Sequence, residues 1–333
     1  MKIIIPMAGM GKRMRPHTFT VPKPLIPVAG KPIVKRLVED IVKVCDEPVD
    51  EIAFVVGDFG KEVENRLLDI ASAAGARGSI HYQHEALGTA HAVLCAGEAL
   101  SGKVVVAFAD TLFRAGFKLD ASADGTIWVH RVEDPSAFGV VKTDENSYIT
   151  DFVEKSPSFV SDKAIIGIYY FREGQVLKNE LQYLVDNDIK GNGEYQLTDA
   201  LENMKNKGTR FTTGSVNEWL DCGNKDATLY TNRRILETTK EETLFLENID
   251  KYNSIIIPPC FVGENVVIKN SVIGPHVSLG NHTRIEDSVI KNSIVQENTR
   301  ISRLVASNSM IGNHVQLEGK EHTLNLGDYS GNV

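Results

Sequence analysis

The chain has 333 residues, enough for two domains, and its 42% hydrophobic and 24% charged residues are those of an ordinary soluble globular protein. A net charge of −8 with no basic stripe argues against nucleic acid as the main partner. No apolar run approaches the ~20 residues that span a membrane, Ile3–Ile5 is too short for a signal-peptide core, and Cys45, Cys95, Cys222 and Cys260 show no CxxC spacing, so a cytoplasmic chain with reduced thiols is expected.

Up to about residue 220 strand and helix alternate. Ile3–Pro6 reads as a buried strand. It runs into a turn, Gly9-Met10-Gly11-Lys12-Arg13, and then into Pro22-Lys23-Pro24. Glycines let backbone N–H groups converge on phosphate oxygens, and an arginine fork can grip a phosphate with two bonds. Prolines on both sides of Lys23 stiffen the loop that presents it. Apolar spacing predicts a helix over Pro32–Val44, a strand over Glu51–Val56 and a helix over Lys61–Ala73. A short strand at Ile80–Gln83, a helix at Thr89–Leu100 and a strand at Val104–Phe108 follow, with Asp110 just past the end. This order predicts a parallel sheet covered by helices on both faces, with ligands at the carboxyl ends of the strands. Gly9–Arg13, Gln83–Thr89 and Asp110 all fall at those ends.

Strands are then expected at Thr126–Val132, Gly139–Lys142, Ile149–Glu154 and Ile165–Phe171, with helices at Gln175–Asn187 and Gln196–Asn206. They read as an extension of the same sheet. Lys225–Leu246 is charged and reads as a helical connector. After Tyr252 apolar residues recur at steps of five or six, from Ile257, Val262 and Ile268 on to Val295 and Ile301. A period near six with no helical phase predicts a parallel β-helix of three to four coils rather than a β-sandwich of short strands. The expected division is residues 1–230 catalytic, 231–251 connector and 252–333 β-helix, in an α/β chain with a Rossmann-like, mostly parallel sheet. The tail Leu324–Asp328 has no assigned place.

The glycine turn is not a Walker A loop, which needs a hydroxyl after Gly-Lys, nor a Rossmann fingerprint, whose third glycine is Met14 here. Gly9 to Thr18 and Pro22 to Val28 instead resemble the opening G-x-G-T-R and P-K-P-L-x-P-V motifs of the sugar-1-phosphate nucleotidylyltransferases. Lys12 stands where that family has threonine, and Pro6-Met7 where it has leucine-alanine. Further resemblances follow in chain order: Gln83 to Ala90, Phe108-Ala109-Asp110, Phe138-Gly139-Val140, Val153-Glu154-Lys155, Gly193 to Asp199, and Trp219-Leu220-Asp221-Cys222-Gly223. Many members also carry a C-terminal left-handed β-helix, so the resemblance covers nearly the whole chain, and glucose-1-phosphate thymidylyltransferases are the members it resembles most.

The resemblance implies a site. Nucleotide would rest on Ala8, Gly9, Gly11, Lys12, Arg13, Gln83, Gly88 and Thr89. Sugar phosphate would rest on Lys23, Gly139, Glu154, Lys155 and Gly167. Asp110 and Asp221 would hold Mg²⁺, which accepts one or two carboxylates together with phosphates. Arg13, Lys23, Asp110 and Lys155 would carry the catalysis. A primary amide at Gln83 offers both donor and acceptor, which favours uracil or thymine over guanine. The implied reaction joins an NTP, dTTP or UTP rather than GTP, to a sugar 1-phosphate, glucose 1-phosphate favoured, in a homo-oligomer with no membrane or nucleic-acid partner. Three rival readings are a guanylyltransferase acting on mannose or heptose 1-phosphate, an added acyltransferase using His276, His282 or His314, and a non-catalytic regulatory subunit.

Overall fold

The computed structural model describes residues 1–116, 118–239, 244–245 and 250–320. They fall into two compact units, Met1–Ile26 with Pro32–Gly223, and Pro27–Lys31 with Asn224–Val333. The tail around Leu324 lies outside the described residues.

In the first unit, β1 (Lys2–Pro6), β2 (Glu51–Val56), β3 (Arg77–Tyr82) and β4 (Val104–Ala107) run parallel in the order β3-β2-β1-β4. Ile3, Ile4 and Ile5, all of β2 and all of β4 are buried, because helices cover both faces of such strands and every second residue has no solvent side. The intervening helices are α1 (Ile33–Val44), α2 (Lys61–Ala73) and α3 (Thr89–Leu94). On α1 the buried residues Ile33, Val34, Leu37, Val38, Ile41 and Val44 form one stripe, and this stripe drives it onto the sheet. Helix α3 stops six residues short of the expected Leu100. Gly97 adopts φ 57°, a conformation that ends a helix, and Gly97–Ala99 forms a separate 3₁₀ turn.

The sheet continues in the expected extension, and there its strands turn antiparallel. A short β5 (Thr111–Arg114) is followed by β6 (Gly125–Arg131), β7 (Gly139–Thr143), β8 (Ile149–Glu154) and β9 (Lys163–Phe171). Strand β9 pairs antiparallel with β4, β6 and β7, and β7 with β8. Helices α4 (Gly174–Asp186) and α5 (Leu197–Asn206) cover this half. Three of these strands were not expected: β5 itself, β10 (Phe211–Ser215), which extends the nine-stranded sheet beside β6, and β11 (Glu218–Asp221), which pairs with β5. The β5–β11 ribbon matters for the site, because its register sets Asp221 opposite Thr111, next to Asp110.

The second unit starts with α6 (Lys225–Thr238), capped by Asn224, whose side chain accepts from the Ala227 N–H at 3.0 Å. Short parallel strands then stack on three faces, with five, five and four strands among the described residues, the arrangement of the expected left-handed β-helix. There is more of it than the apolar period indicated. The first coil already includes Leu244–Phe245 and Asp250–Tyr252, and all of these but Tyr252 lie in residues 231–251, read as connector. Stacked residues lie 17 apart in the early coils and 16 apart in the later ones, as in Val267–Arg284–Arg300. Asn and His fill turn positions with positive φ, including His276, His282 and His314 at φ 63°, 57° and 57°. Their backbone geometry accounts for those histidines without chemistry. One face is covered by α6: fully buried Asn232 accepts from Ala29 N–H at 2.9 Å and from Ser278 Oγ at 2.7 Å.

The inner file Ile268–Ile285–Ile301 is apolar and almost completely buried. Ile285→Ala is expected to destabilise the β-helix by about 2–5 kcal/mol, read as a lower denaturant midpoint with an unchanged slope.

Candidate functional site

The glycine turn after β1 is held from inside. Met14 is buried beneath it and its N–H closes the turn on Gly11 O at 2.9 Å. Thr18 Oγ1 also donates to Gly11 O, at 2.9 Å. Gly11 has φ 56°, and a Cβ there would meet Thr18 Cγ2 at 3.0 Å and Lys23 Cβ at 3.1 Å. Glycine at this point therefore lets the turn close against the loop carrying Lys23. Lys23 Nζ lies 2.6 Å from Asp110 Oδ2, with the two side chains only 14% and 32% exposed.

A cavity of about 280 Å³ opens at the carboxyl ends of β1, β3 and β4. Of the residues expected to hold ligands, Ala8, Gly9, Gly11, Lys23, Gln83, Gly88, Thr89 and Asp110 line it. This is the crevice beside the reversal in strand order, where open α/β sheets bind ligands. Lys12 and Arg13 are exposed and stand outside that lining. Arg13 lies instead against the β11 end. A Cβ on Gly223 would be 3.1 Å from Arg13 Nη2 and 3.0 Å from Asp221 Oδ1, so the lack of a side chain at Gly223 leaves room for both groups.

Asp221 and Asp110 form the acidic part of the site. Cys222 N–H donates to Asp110 O at 2.9 Å and Gly223 N–H to Asp221 Oδ1 at 3.0 Å. Burial first, and then the neighbouring Asp110 charge, raises the Asp221 carboxyl above the usual range, against the pull of the Gly223 N–H, Lys23 and Arg13. Two carboxylates held this close, with cations around them, fit a hard divalent cation that takes its remaining oxygens from phosphates. Among the described residues no cluster of three or more acidic, His or Cys side chains exists that could hold a metal without such help.

The loop from Gln83 to Thr89 is locked to the segment before α5. Tyr195 N–H donates to Leu87 O at 2.8 Å, and Ala90 N–H to Tyr195 O at 2.9 Å. Gly88 has φ 117°, and a Cβ there would sit 2.5 Å from Tyr195 O. Thr89 Oγ1 accepts from Leu197 N–H at 3.0 Å, so its hydroxyl anchors α5 as well as lining the cavity. Gln83 Nε2 donates to Gly88 O at 3.2 Å and lies 3.1 Å from His91 Nδ1. This modifies the expectation for Gln83. Both its N–H groups are spent within the protein, and the acceptor Oε1 is what remains for a ligand.

Gly139, Glu154 and Lys155 form a second group. A Cβ on Gly139 would be 2.9 Å from Glu154 Oε2, which accepts from Thr198 Oγ1 at 3.3 Å. Lys155 Nζ lies 3.4 Å from Glu154 Oε1 and is half exposed, on a backbone with φ 41°. Burial and then the Glu154 charge raise both the Asp199 carboxyl and the Tyr169 hydroxyl. Gly167, with φ 84°, joins this region to the acidic one: its carbonyl accepts from Phe108 N–H at 2.9 Å. Sequence reading missed Thr18, Thr198 and His91. Thr18 lay inside a quoted motif without a role, and His91 follows Gly88 by three residues, on the turn of α3 that faces Gln83.

No helix among the described residues is long and apolar enough to cross a membrane. Among known proteins, a glucose-1-phosphate thymidylyltransferase of Streptomyces griseus is 29% identical over 99% of this chain and 98% of its own length. The low-salt glycan biosynthesis nucleotidyltransferase Agl11 of Haloferax volcanii is 29% identical over 71% of this chain, which spans 66% of that relative. A solved UDP-glucose pyrophosphorylase in complex with UDP-glucose superposes with a TM-score of 0.58 over 72% of this chain and 99% of that one; at 24% identity this likeness speaks for the fold. The model of the family described as nucleotidyl transferase matches residues 2–238, the whole first unit and α6, and the chain belongs to that family.

Proposed function

We propose that the chain transfers a nucleotidyl group from dTTP or UTP to a sugar 1-phosphate, glucose 1-phosphate favoured, releasing pyrophosphate. The observation that carries this reading is one cavity walled by the glycine turn, by Gln83 and Gly88, and by the Lys23–Asp110 pair. A triphosphate on the turn and a base at Gln83 together span such a cavity. The full-length likeness to a thymidylyltransferase supports the choice of nucleotide.

The attacking group is an anionic phosphate oxygen of the sugar 1-phosphate. A bond forms from it to the α-phosphorus, and the bond from the α-phosphorus to the bridging oxygen of pyrophosphate breaks. No protein nucleophile or base is needed; the protein has to align two anions and offset their charge. Arg13 grips the β- and γ-phosphates. Lys23 exchanges its Asp110 partner for the α-phosphate and the incoming phosphate. Lys155 holds the sugar phosphate, and Glu154 accepts from sugar hydroxyls beside Gly139 and Gly167. Mg²⁺ on Asp110 and Asp221 supplies, when bound, charge neutralisation at the α-phosphate.

One observation favours a second reading. The free acceptor Oε1 of Gln83 also suits the N1–H of guanine, so a guanylyltransferase stays in the test. A matrix of dTTP, UTP, GTP, CTP and ATP against glucose, mannose and N-acetylglucosamine 1-phosphates, followed by pyrophosphate release, decides it. Release with GTP and mannose 1-phosphate alone overturns the first reading, and release with no pair overturns both. We further propose a cytoplasmic homo-oligomer. Its support is an outward file on one β-helix face, Ile255, Val272, Val289 and Val305, stacked in register, with Ile255, Val289 and Val305 60%, 41% and 82% exposed. A monomeric mass in light scattering overturns the assembly.

A further inference from the structure

We infer that His91 is a positioning residue that fixes which face of the Gln83 amide meets the nucleotide base, and thereby sets discrimination between uracil-type and cytosine-type nucleotides. This rests on the reading of the cavity as a nucleotide site.

A primary amide is symmetric in shape and opposite in chemistry at its two ends, so its orientation decides what it recognises. Gly88 O can only accept, and it lies 3.2 Å from the Gln83 amide nitrogen. His91 Nδ1 lies 3.1 Å from the same nitrogen. With both N–H groups directed to these partners, the ring is the tautomer with a bare Nδ1 and the proton on Nε2. Cys95 Sγ lies 3.9 Å from Nε2 and 4.0 Å from Nδ1, so it favours neither tautomer, and the amide nitrogen, which can only donate, sets the choice. Gln83 Oε1 makes no hydrogen bond among the described residues, and Gln83 lines the cavity. The Gly88 N–H likewise has no partner among the described residues. The pocket therefore offers a fixed acceptor, Oε1, and a fixed backbone donor.

Uracil and thymine present an N3–H beside a C4 carbonyl, the complement of that pair. Cytosine presents a bare N3 beside an amino group, so acceptor faces acceptor and donor faces donor. The backbone donor cannot turn round. The amide can, and two bonds oppose its turning. Gly88 O supplies one as a consequence of the fold; His91 supplies the other as a side chain. A leucine at 91 removes one restraint and lets the amide turn its nitrogen toward cytosine N3.

The test measures dissociation constants of UTP and CTP for the full chain by calorimetry. It uses the wild type, His91→Leu, His91→Met and His91→Gln, with folding checked by thermal melts. Glutamine keeps an acceptor within reach of the Gln83 nitrogen; leucine and methionine do not, and the two guard against one failing to fold. The wild type is expected to prefer UTP. The two apolar variants are expected to lose about tenfold of that preference, mainly by gaining affinity for CTP, and His91→Gln to restore it. A purely structural role for His91 weakens both nucleotides equally and leaves the ratio unchanged; that result overturns the proposal while the cavity's reading stands. A wild type that binds CTP better overturns the proposal while the cavity stays a nucleotide site, and one that binds neither nucleotide overturns the pyrimidine-nucleotide reading and the proposal with it.

Discussion

Asp110→Ala is expected to lower turnover by about three orders of magnitude while the melting temperature moves by only a few degrees. The side chain is a third exposed, so its removal leaves no sealed cavity, and among the described residues it pairs with Lys23 at 2.6 Å. Lys23 keeps acidic company after the loss, because Asp221 faces the same region. The variant also removes one cause of the raised Asp221 carboxyl. A carboxyl whose folded pKa is raised favours the folded state below its unfolded pKa, and that contribution is lost as pH rises through the folded pKa. Stability of the wild type should therefore gain from acidification through that window, and Asp110→Ala should gain less. The rate loss has a different origin: a single carboxylate remains for the divalent cation, and Lys23 loses the partner that aims it. Initial rates of pyrophosphate release at saturating Mg²⁺, alongside calorimetric melts from pH 4 to 8, check both halves. Turnover near that of the wild type would falsify the assignment of Asp110.

The second large effect is expected at Gly88→Ala. A backbone at φ 117° is strained for any residue with a side chain, and the added Cβ meets Tyr195 O at 2.5 Å and Tyr195 N at 2.7 Å. Those atoms form the two bonds that tie the loop to the segment before α5, Tyr195 N–H to Leu87 O and Ala90 N–H to Tyr195 O. Strain and two weakened hydrogen bonds together cost about 3 kcal/mol, or a fall of about 6–12 °C in melting temperature for a unit of this size. Nucleotide affinity should fall more than tenfold, since Gly88 also holds Gln83. Melts and UTP titrations read the two effects separately, and an unchanged affinity would show that the loop does not touch the base.

The parallel half of the sheet was legible because its strands are unbroken apolar runs and its helices carry clean stripes. The loops at its carboxyl edge were legible because glycine and proline punctuate them. Strands β10 and β11 escaped notice for a physical reason: Phe-Thr-Thr-Gly-Ser and Glu-Trp-Leu-Asp are short and poorly alternating, and they are strands because β6 and β5 are there to pair with them. The opening coil of the β-helix was hidden in the same way, among charged residues with no visible period. Within the site, residue types were legible and orientations were not. Gln83 could be named from sequence as a site candidate, but its amide's contacts with Gly88 O and His91 arise only where the folded loop brings them together.

The 17- and 16-residue spacing of the β-helix makes its length a countable quantity. Each coil pairs only with the coil before and after it, so stability grows by nearly equal increments. Removing the segment between two stacked residues, such as Val267 and Arg284, deletes one complete turn and returns every later side chain to its own face. Deleting half as many residues shifts every later side chain off the face it now occupies. The second unit is thus built to change size in whole steps, and a lineage can lengthen or shorten it without redesigning any of the strands it keeps.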